Sequence, residues 1–144
     1  MIKIGVDVKI RNVLLLCVSL AIVSACSSLK SFREELKDTV IAYNDLLRWN
    51  EFNKAKHFVD ESVRQEFEAR VQAAKNVKIA DYRILNTDFE PEKGEQIVEV
   101  EFDYYISPTY LVKTLIDKQK WSYIYVEKEK EKRWRLMTPI SDFR

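Results

Sequence analysis

The chain has 144 residues, 47% hydrophobic and 33% charged, with 24 Lys and Arg against 23 Asp and Glu, two Gly, two Cys and one His. That balance suits one globular domain and excludes collagen-like, disulfide-stapled and intrinsically disordered chains. Gly5 and Gly94 stand too far apart to form a phosphate-cradling loop, one histidine cannot supply a His-rich zinc site, and a net charge of +1 lacks the footprint of a nucleic-acid binder.

The chain opens with Lys3, Lys9 and Arg11, opposed only by Asp7, then an uncharged run over residues 13–23, then the small residues Ser24 and Ala25. This is the three-part pattern of a secretory signal. Eleven helical residues reach about 16 Å, roughly half of the ~30 Å hydrocarbon core, so a permanent spanning helix is not expected.

The run ends Val23-Ser24-Ala25-Cys26, which resembles the lipobox of bacterial lipoproteins: a branched apolar residue, two small residues and the modified cysteine. The resemblance implies cleavage between Ala25 and Cys26, diacylglycerol on the Cys26 sulfur and acylation of the new amino terminus. The alternatives are an ordinary secretory signal that ends in Cys, or a free thiol. Each buried methylene is worth about 0.8 kcal/mol, and two or more chains turn marginal membrane binding into stable anchoring. Ser27 after the lipidated cysteine implies export to the outer membrane, facing the periplasm. Cys17 falls in the removed segment, which leaves Cys26 as the only cysteine and no disulfide inside the domain.

The organisation expected is therefore a signal over residues 1–25, a tether over 26–30 and one α+β domain over 31–144. Three of the 24 basic residues and one of the 23 acidic ones precede Cys26, so the remainder carries a net charge of −1, and every aromatic lies within it. Five tether residues span at most roughly 17 Å, which holds the domain against the membrane surface.

Ser31-Phe32-Arg33-Glu34 reads as a capping box, and Phe32, Leu36, Val40, Tyr43 and Leu47 form one stripe of a long amphipathic helix. Residues 51–59 predict a short second helix. Asp60 caps a third, with Val63, Phe67, Val71 and Ala74 on one face and Asn76 as its C-cap.

After Asn76 the period changes to that of strands. Residues 77–89 form the first, Pro91-Glu92-Lys93-Gly94 turns, and residues 97–106 alternate, with Val98, Val100, Phe102, Tyr104 and Ile106 facing inward and Glu99, Glu101 and Asp103 outward. A third strand covers roughly residues 113–127. There Trp121, Tyr123 and Tyr125 share one face and Ser122, Ile124 and Val126 the other, and the pattern leaves open which is buried. Residues 127–132 make a solvated hairpin tip, and Trp134-Arg135-Leu136 returns as the last strand. The fold class is α+β: three N-terminal helical segments packed on a curved, mainly antiparallel four-stranded sheet.

The order of Trp49-Asn50-Glu51-Phe52, Ala55-Lys56-His57-Phe58 and the closing Trp134-Arg135-Leu136 resembles the nuclear transport factor 2-like (cystatin-like) lipoproteins over about residues 31–138. The resemblance implies a cone-shaped fold whose sheet curls around the first helix and can leave an apolar cavity. Such folds serve as binders, enzymes and assembly modules, so fold does not fix activity.

Few residues carry candidate chemistry. His57, with Lys54 and Lys56 as neighbours, reads as solvated and not catalytic. Asp103 could be a pocket base, as an acidic residue is in the ketosteroid-isomerase relatives of this fold, but strand alternation sets it in an outward charged row. No serine sits in a nucleophile elbow. Tyr43, Phe58, Phe67, Tyr104, Trp121, Tyr123 and Trp134 either line a pocket for a flat or lipid-like molecule or fill the core. No cofactor beyond the lipid on Cys26, no metal and no nucleic acid is expected. The function expected is a non-enzymatic envelope lipoprotein that binds a partner protein or ligand at the membrane face. The alternatives are a periplasmic module for a small apolar ligand and a small isomerase or dehydratase.

Overall fold

A computed structural model describes residues 32–90 and 94–143, with side chains omitted at 87–90. The signal, the lipobox, the tether and Ser31 of the capping box lie outside the described residues. Residues 32–48 are helical (α1). The chain divides within this helix into two compact units, Met1–Asp38 and Thr39–Arg144. Of the first unit only the helical residues 32–38 are described; the shorter helices and all the strands belong to the second.

The expected stripe of α1 is buried at Val40, Tyr43 and Leu47. Asn50, at φ 57°, ends the helical turn in the left-handed region that Asn tolerates better than most residues. A four-residue α2 (Phe52–Ala55) runs directly into a 3-10 turn, Lys56–Phe58, which together account for the short second helix. Val59 forms a parallel bridge to Leu136, and Asp60 N–H donates to the Leu136 carbonyl at 2.9 Å, pinning this connection to the last strand.

Asp60 then caps α3 (Glu61–Ala73), its Oδ1 accepting from Ser62 N–H at 2.9 Å and from the Ser62 hydroxyl at 2.6 Å. Partial burial alone would raise the Asp60 carboxyl, but the hydrogen bonds from Ser62 and from Glu61 N–H, together with Arg64, hold it below the usual carboxylate range. Asp60→Ala should cost about 1 kcal/mol, the ordinary value of an N-cap, read as a lowered midpoint of urea unfolding with unchanged slope. The C-cap is Ala74, two residues before the expected Asn76; the Asn76 carbonyl instead accepts from Ser107 N–H at 2.9 Å. Phe67 is the one buried side chain of the helix, with Ala74 buried just beyond it.

Four strands follow: β1 (Val77–Glu90), β2 (Glu95–Ile106), β3 (Lys113–Val126) and β4 (Glu131–Leu136). They pair antiparallel in chain order, β1-β2-β3-β4. Register shifts in β1 between Ile79 and Asp81 and between Ile84 and Asn86 bend this strand, as bulges do, and the sheet curls. The result is the α+β architecture expected from the element order, helical segments followed by a curled four-stranded antiparallel sheet.

The inner face carries Ile79 from β1, then Val98, Val100, Phe102 and Tyr104 from β2, Trp121 from β3, and Trp134 and Leu136 from β4, all buried. Outward, Arg83 forms ion pairs with Glu101 and with Asp103, and Lys118 pairs with Glu99 at 3.0 Å. Thr114 Oγ1 also donates to Asp103 Oδ1 at 2.8 Å. Ile106, expected inward, is only half-buried because the strand ends there. Gly94, at φ +59°, opens the β1–β2 return in a conformation that most side chains avoid.

Candidate functional site

The seven aromatics singled out from sequence are not gathered in one lining. Tyr43 sits edge-on to Trp121 at 5.6 Å and to Phe58 at 6.2 Å. Tyr123 and Trp134 form a separate pair at 5.3 Å, and Tyr104 meets Phe143 at 4.9 Å. Phe67 borders a shallow groove between α2 and α3. Tyr43, Phe67, Tyr104, Trp121 and Trp134 are buried and Phe58 and Tyr123 half-buried, so their area is in large part removed from water.

Around this aromatic cluster runs a polar network that sequence reasoning did not find. Along β3, Asp117, Gln119 and Trp121 alternate onto the inner face, opposite the outward Lys118 and Lys120. Trp121 continues this buried row, but Ser122 of the opposite face is buried too and Tyr125 of the Trp121 face is exposed, so neither face is buried along the whole stretch. Gln119 exchanges hydrogen bonds with Asn44 of α1: its Nε2 donates to Asn44 Oδ1 at 2.8 Å, and its Oε1 accepts from Asn44 Nδ2 at 3.3 Å. The same Oε1 accepts from Trp121 Nε1 at 3.3 Å, and Asn44 Nδ2 also donates to the Val40 carbonyl at 2.8 Å. Gln119 Nε2 donates in addition to Asp117 Oδ2 at 3.0 Å.

The other oxygen of Asp117 accepts from Ser141 Oγ at 2.5 Å. Ser141 belongs to the tail after β4, which is held by Met137 N–H on the Lys120 carbonyl at 2.7 Å and by Arg70 Nη1 on the Ile140 carbonyl at 2.8 Å. Phe143 reaches Tyr104 and also Phe102, at 6.1 Å. The tail thus lies across the concave face of the sheet. Burial pushes the Asp117 carboxyl up, against the hydrogen bonds from Ser141 and Gln119 and the charge of Arg70, which favour its ionised form. Burial, then the Asp117 charge, pushes the Tyr43 phenol well up, and its Oη has no hydrogen-bond partner among the described residues. Tyr82 donates to Asp45 Oδ1 at 2.8 Å; burial first, then that bond, pushes it up to about 12.

A perturbed carboxyl on a concave sheet face is the usual mark of a general base. Asp117, however, already has both oxygens engaged by neighbours, and it lines neither of the two described grooves. The larger groove, about 600 Å³, lies outside, between the start of α3 and the β3–β4 hairpin, and includes His57, Asp60, Arg64, Tyr125, Lys128 and Arg135. Its cations are engaged, Lys128 with Glu61, Arg135 with Glu129 and the His57 carbonyl, and Arg64 with the Val59 carbonyl at 2.9 Å, while Glu127 makes no ion pair among the described residues and the buried Arg64 Nε finds no acceptor there. The His57 imidazole is exposed and makes no hydrogen bond among the described residues.

Asp103, the other sequence candidate, faces outward into the Arg83 and Thr114 contacts. Among the described residues no group of three or more His, Cys, Asp or Glu side chains is placed to hold a metal ion, and no described helix is long and apolar enough to cross a membrane. No family model matches the chain, and neither a curated protein nor a solved structure matches it.

Proposed function

We propose that the chain is a lipid-anchored bacterial envelope lipoprotein whose α+β domain is a non-catalytic module that binds a partner protein or ligand at the membrane face. The observation that carries this reading is Val23-Ser24-Ala25-Cys26 placed directly after an eleven-residue uncharged run with a cationic start. The five-residue tether keeps the domain at the bilayer, and Ser27 favours the outer membrane, facing the periplasm. Two features of the domain support a binding role over catalysis. The Asp117 oxygens are occupied by Ser141 and Gln119 beneath the tail, and His57 stands alone on an exposed turn. The same features weigh against the isomerase or dehydratase alternative.

Cys26→Ala tests the anchor. The variant is expected to lose all incorporation of radiolabelled palmitate and to leave the membrane fraction, because acylation supplies the membrane affinity. Undiminished labelling, or unchanged fractionation, contradicts the reading.

A further inference from the structure

The β3–β4 hairpin outruns the rest of the sheet. β2 starts at Glu95, opposite Ser122, so residues 124–126 of β3 pair only with β4, at Arg133, Lys132 and Glu131. The same end receives the chain as it enters α1. Tyr43 packs on Trp121, the partner of Gln96 near the start of β2. Farther along α1, Asp45 accepts from Tyr82, opposite Phe102, and Arg48 pairs with Asp81, opposite Asp103. From Thr39 onward α1 therefore runs away from the hairpin, and the chain reaches Thr39 from the hairpin end.

The groove of about 600 Å³ between this hairpin and the start of α3 combines three kinds of surface. Ile124, Tyr125 and Val126 form an apolar wall, with Tyr125 51% exposed. Of its four carboxylates, Asp60 is held by Ser62 and lies near Arg64, Glu61 is held by Lys128 and Glu129 by Arg135, which leaves Glu127 without a counter-charge among the described residues. Of its three cations, Lys128 and Arg135 are used in those pairs. Arg64 is the least satisfied. Its Nη2 donates to the Val59 carbonyl, but Nη1 stands 3.6 Å from Glu61 Oε1, beyond hydrogen-bond length and on an oxygen that Lys128 already takes, and Nε has no acceptor. The exposed His57 imidazole on the same groove makes no hydrogen bond either.

An under-bonded guanidinium, a carboxylate with no counter-charge and an uncovered apolar wall are deficits that one ligand can meet. A simple anion is disfavoured, because four carboxylates outnumber three cations around the groove. A simple ammonium leaves Arg64 as it is. A molecule carrying a phosphate, an ammonium and an apolar part answers all three, and the volume falls within the roughly 300–1,000 Å³ of small-molecule sites.

We infer that this groove binds the phosphoethanolamine headgroup of a phospholipid. The phosphate takes Arg64 Nη1 and the His57 imidazole, the ammonium takes Glu127, and the glycerol end of the lipid lies along Ile124, Tyr125 and Val126. The inference rests on the envelope-lipoprotein reading and deepens it by naming a ligand, since the end of the domain that receives the tether is the end that a headgroup of the anchoring membrane reaches.

The test uses the full acylated chain in phosphatidylglycerol nanodiscs, with isotope-labelled isoleucine methyls and the Ile124 signal assigned by Ile124→Val. Glycerophosphoethanolamine is titrated in, with glycerol phosphate and ethanolamine as controls. The expected result is a saturable shift of the Ile124 methyl with the zwitterion, about tenfold weaker binding of either control, and the same shift without added ligand when phosphatidylethanolamine replaces part of the disc lipid. Glu127→Gln, at an exposed and unpaired position that the fold does not use, should weaken the zwitterion about tenfold, the loss of one charge-assisted hydrogen bond. Arg64→Gln should do the same. An Ile124 signal that does not move, equal affinity for glycerol phosphate, or undiminished affinity in Glu127→Gln overturns the site and leaves the anchor standing. Binding of the soluble zwitterion with no shift in phosphatidylethanolamine discs overturns the lipid as its source and assigns the groove to a soluble phosphoethanolamine compound. A chain recovered unacylated from the soluble fraction removes the lipoprotein reading, and the lipid ligand with it.

Discussion

Removing residues 139–144 is expected to destabilise the domain by about 5 kcal/mol, enough to abolish the cooperative thermal transition or lower it by about 20 °C. The deletion takes away Ile140, which is 1% exposed and whose loss alone belongs to the 2–5 kcal/mol class of core truncations. It also removes the Ser141 hydroxyl from Asp117 Oδ1, and a hydrogen bond to a charged acceptor is worth about 1.5–3 kcal/mol. Phe143 would no longer cover Phe102 and Tyr104, and Arg70 would lose its carbonyl acceptor. Against a typical total of about 5–15 kcal/mol, the segment is part of the core although it has no regular structure. Thermal unfolding followed by near-ultraviolet circular dichroism, which reports the packed tryptophans, reads the effect. A midpoint within about 4 °C of the full chain would mean that the tail lies on the fold without stabilising it.

What could be read from sequence divides along physical lines. The outward row Glu99, Glu101 and Asp103 is legible because charges alternate with apolar residues over several positions, and their ion pairs lie where alternation puts them. Asp60 is legible because an N-cap is a local event between neighbouring residues. The end of α3 is not, since Asn76 has the residue type of a C-cap while the turn closes earlier, at Ala74, and Asn76 serves the β2–β3 loop.

The buried network is hidden for a different reason. Asp117 and Gln119 are polar residues on an inward face, so alternation read by polarity alone assigns them to solvent; only the lysines at 118 and 120 mark the opposite face. Their partners, Asn44 and Ser141, are 75 and 24 residues distant in sequence. Pairings of that range follow from the curl of the sheet and the course of the tail, and no local window carries them. The seven aromatics show the same limit, since their hydrophobicity is plain in sequence while their division into separate contacts is set by register.

Asp117 should also make stability depend on pH in a direction opposite to the capping carboxylate. Its carboxyl is raised in the folded state by burial, so between the ordinary carboxylate value, about 4, and the raised one, the folded chain binds more protons than the unfolded chain. Stability contributed there is fully present below the ordinary value and is lost as pH rises through the folded value. Asp60, lowered by its hydrogen bonds, runs the other way and loses its contribution as pH falls. Comparing the protein with Asp117→Asn isolates the first effect, because Asp60 is common to both. The stability difference, native minus variant, is expected to be most favourable to the native chain at the acid end and to shrink as pH rises, by about 1.4 kcal/mol, or roughly 5 °C, for each pH unit crossed inside the window. The sign at any one pH says less, because asparagine sets an amide N–H₂ either toward Gln119 Nε2 or toward Ser141, both of which donate to the carboxylate. Midpoints that run parallel from about pH 4 to 8 would show that Asp117 is as well solvated folded as unfolded, and that the tail does not seal the concave face.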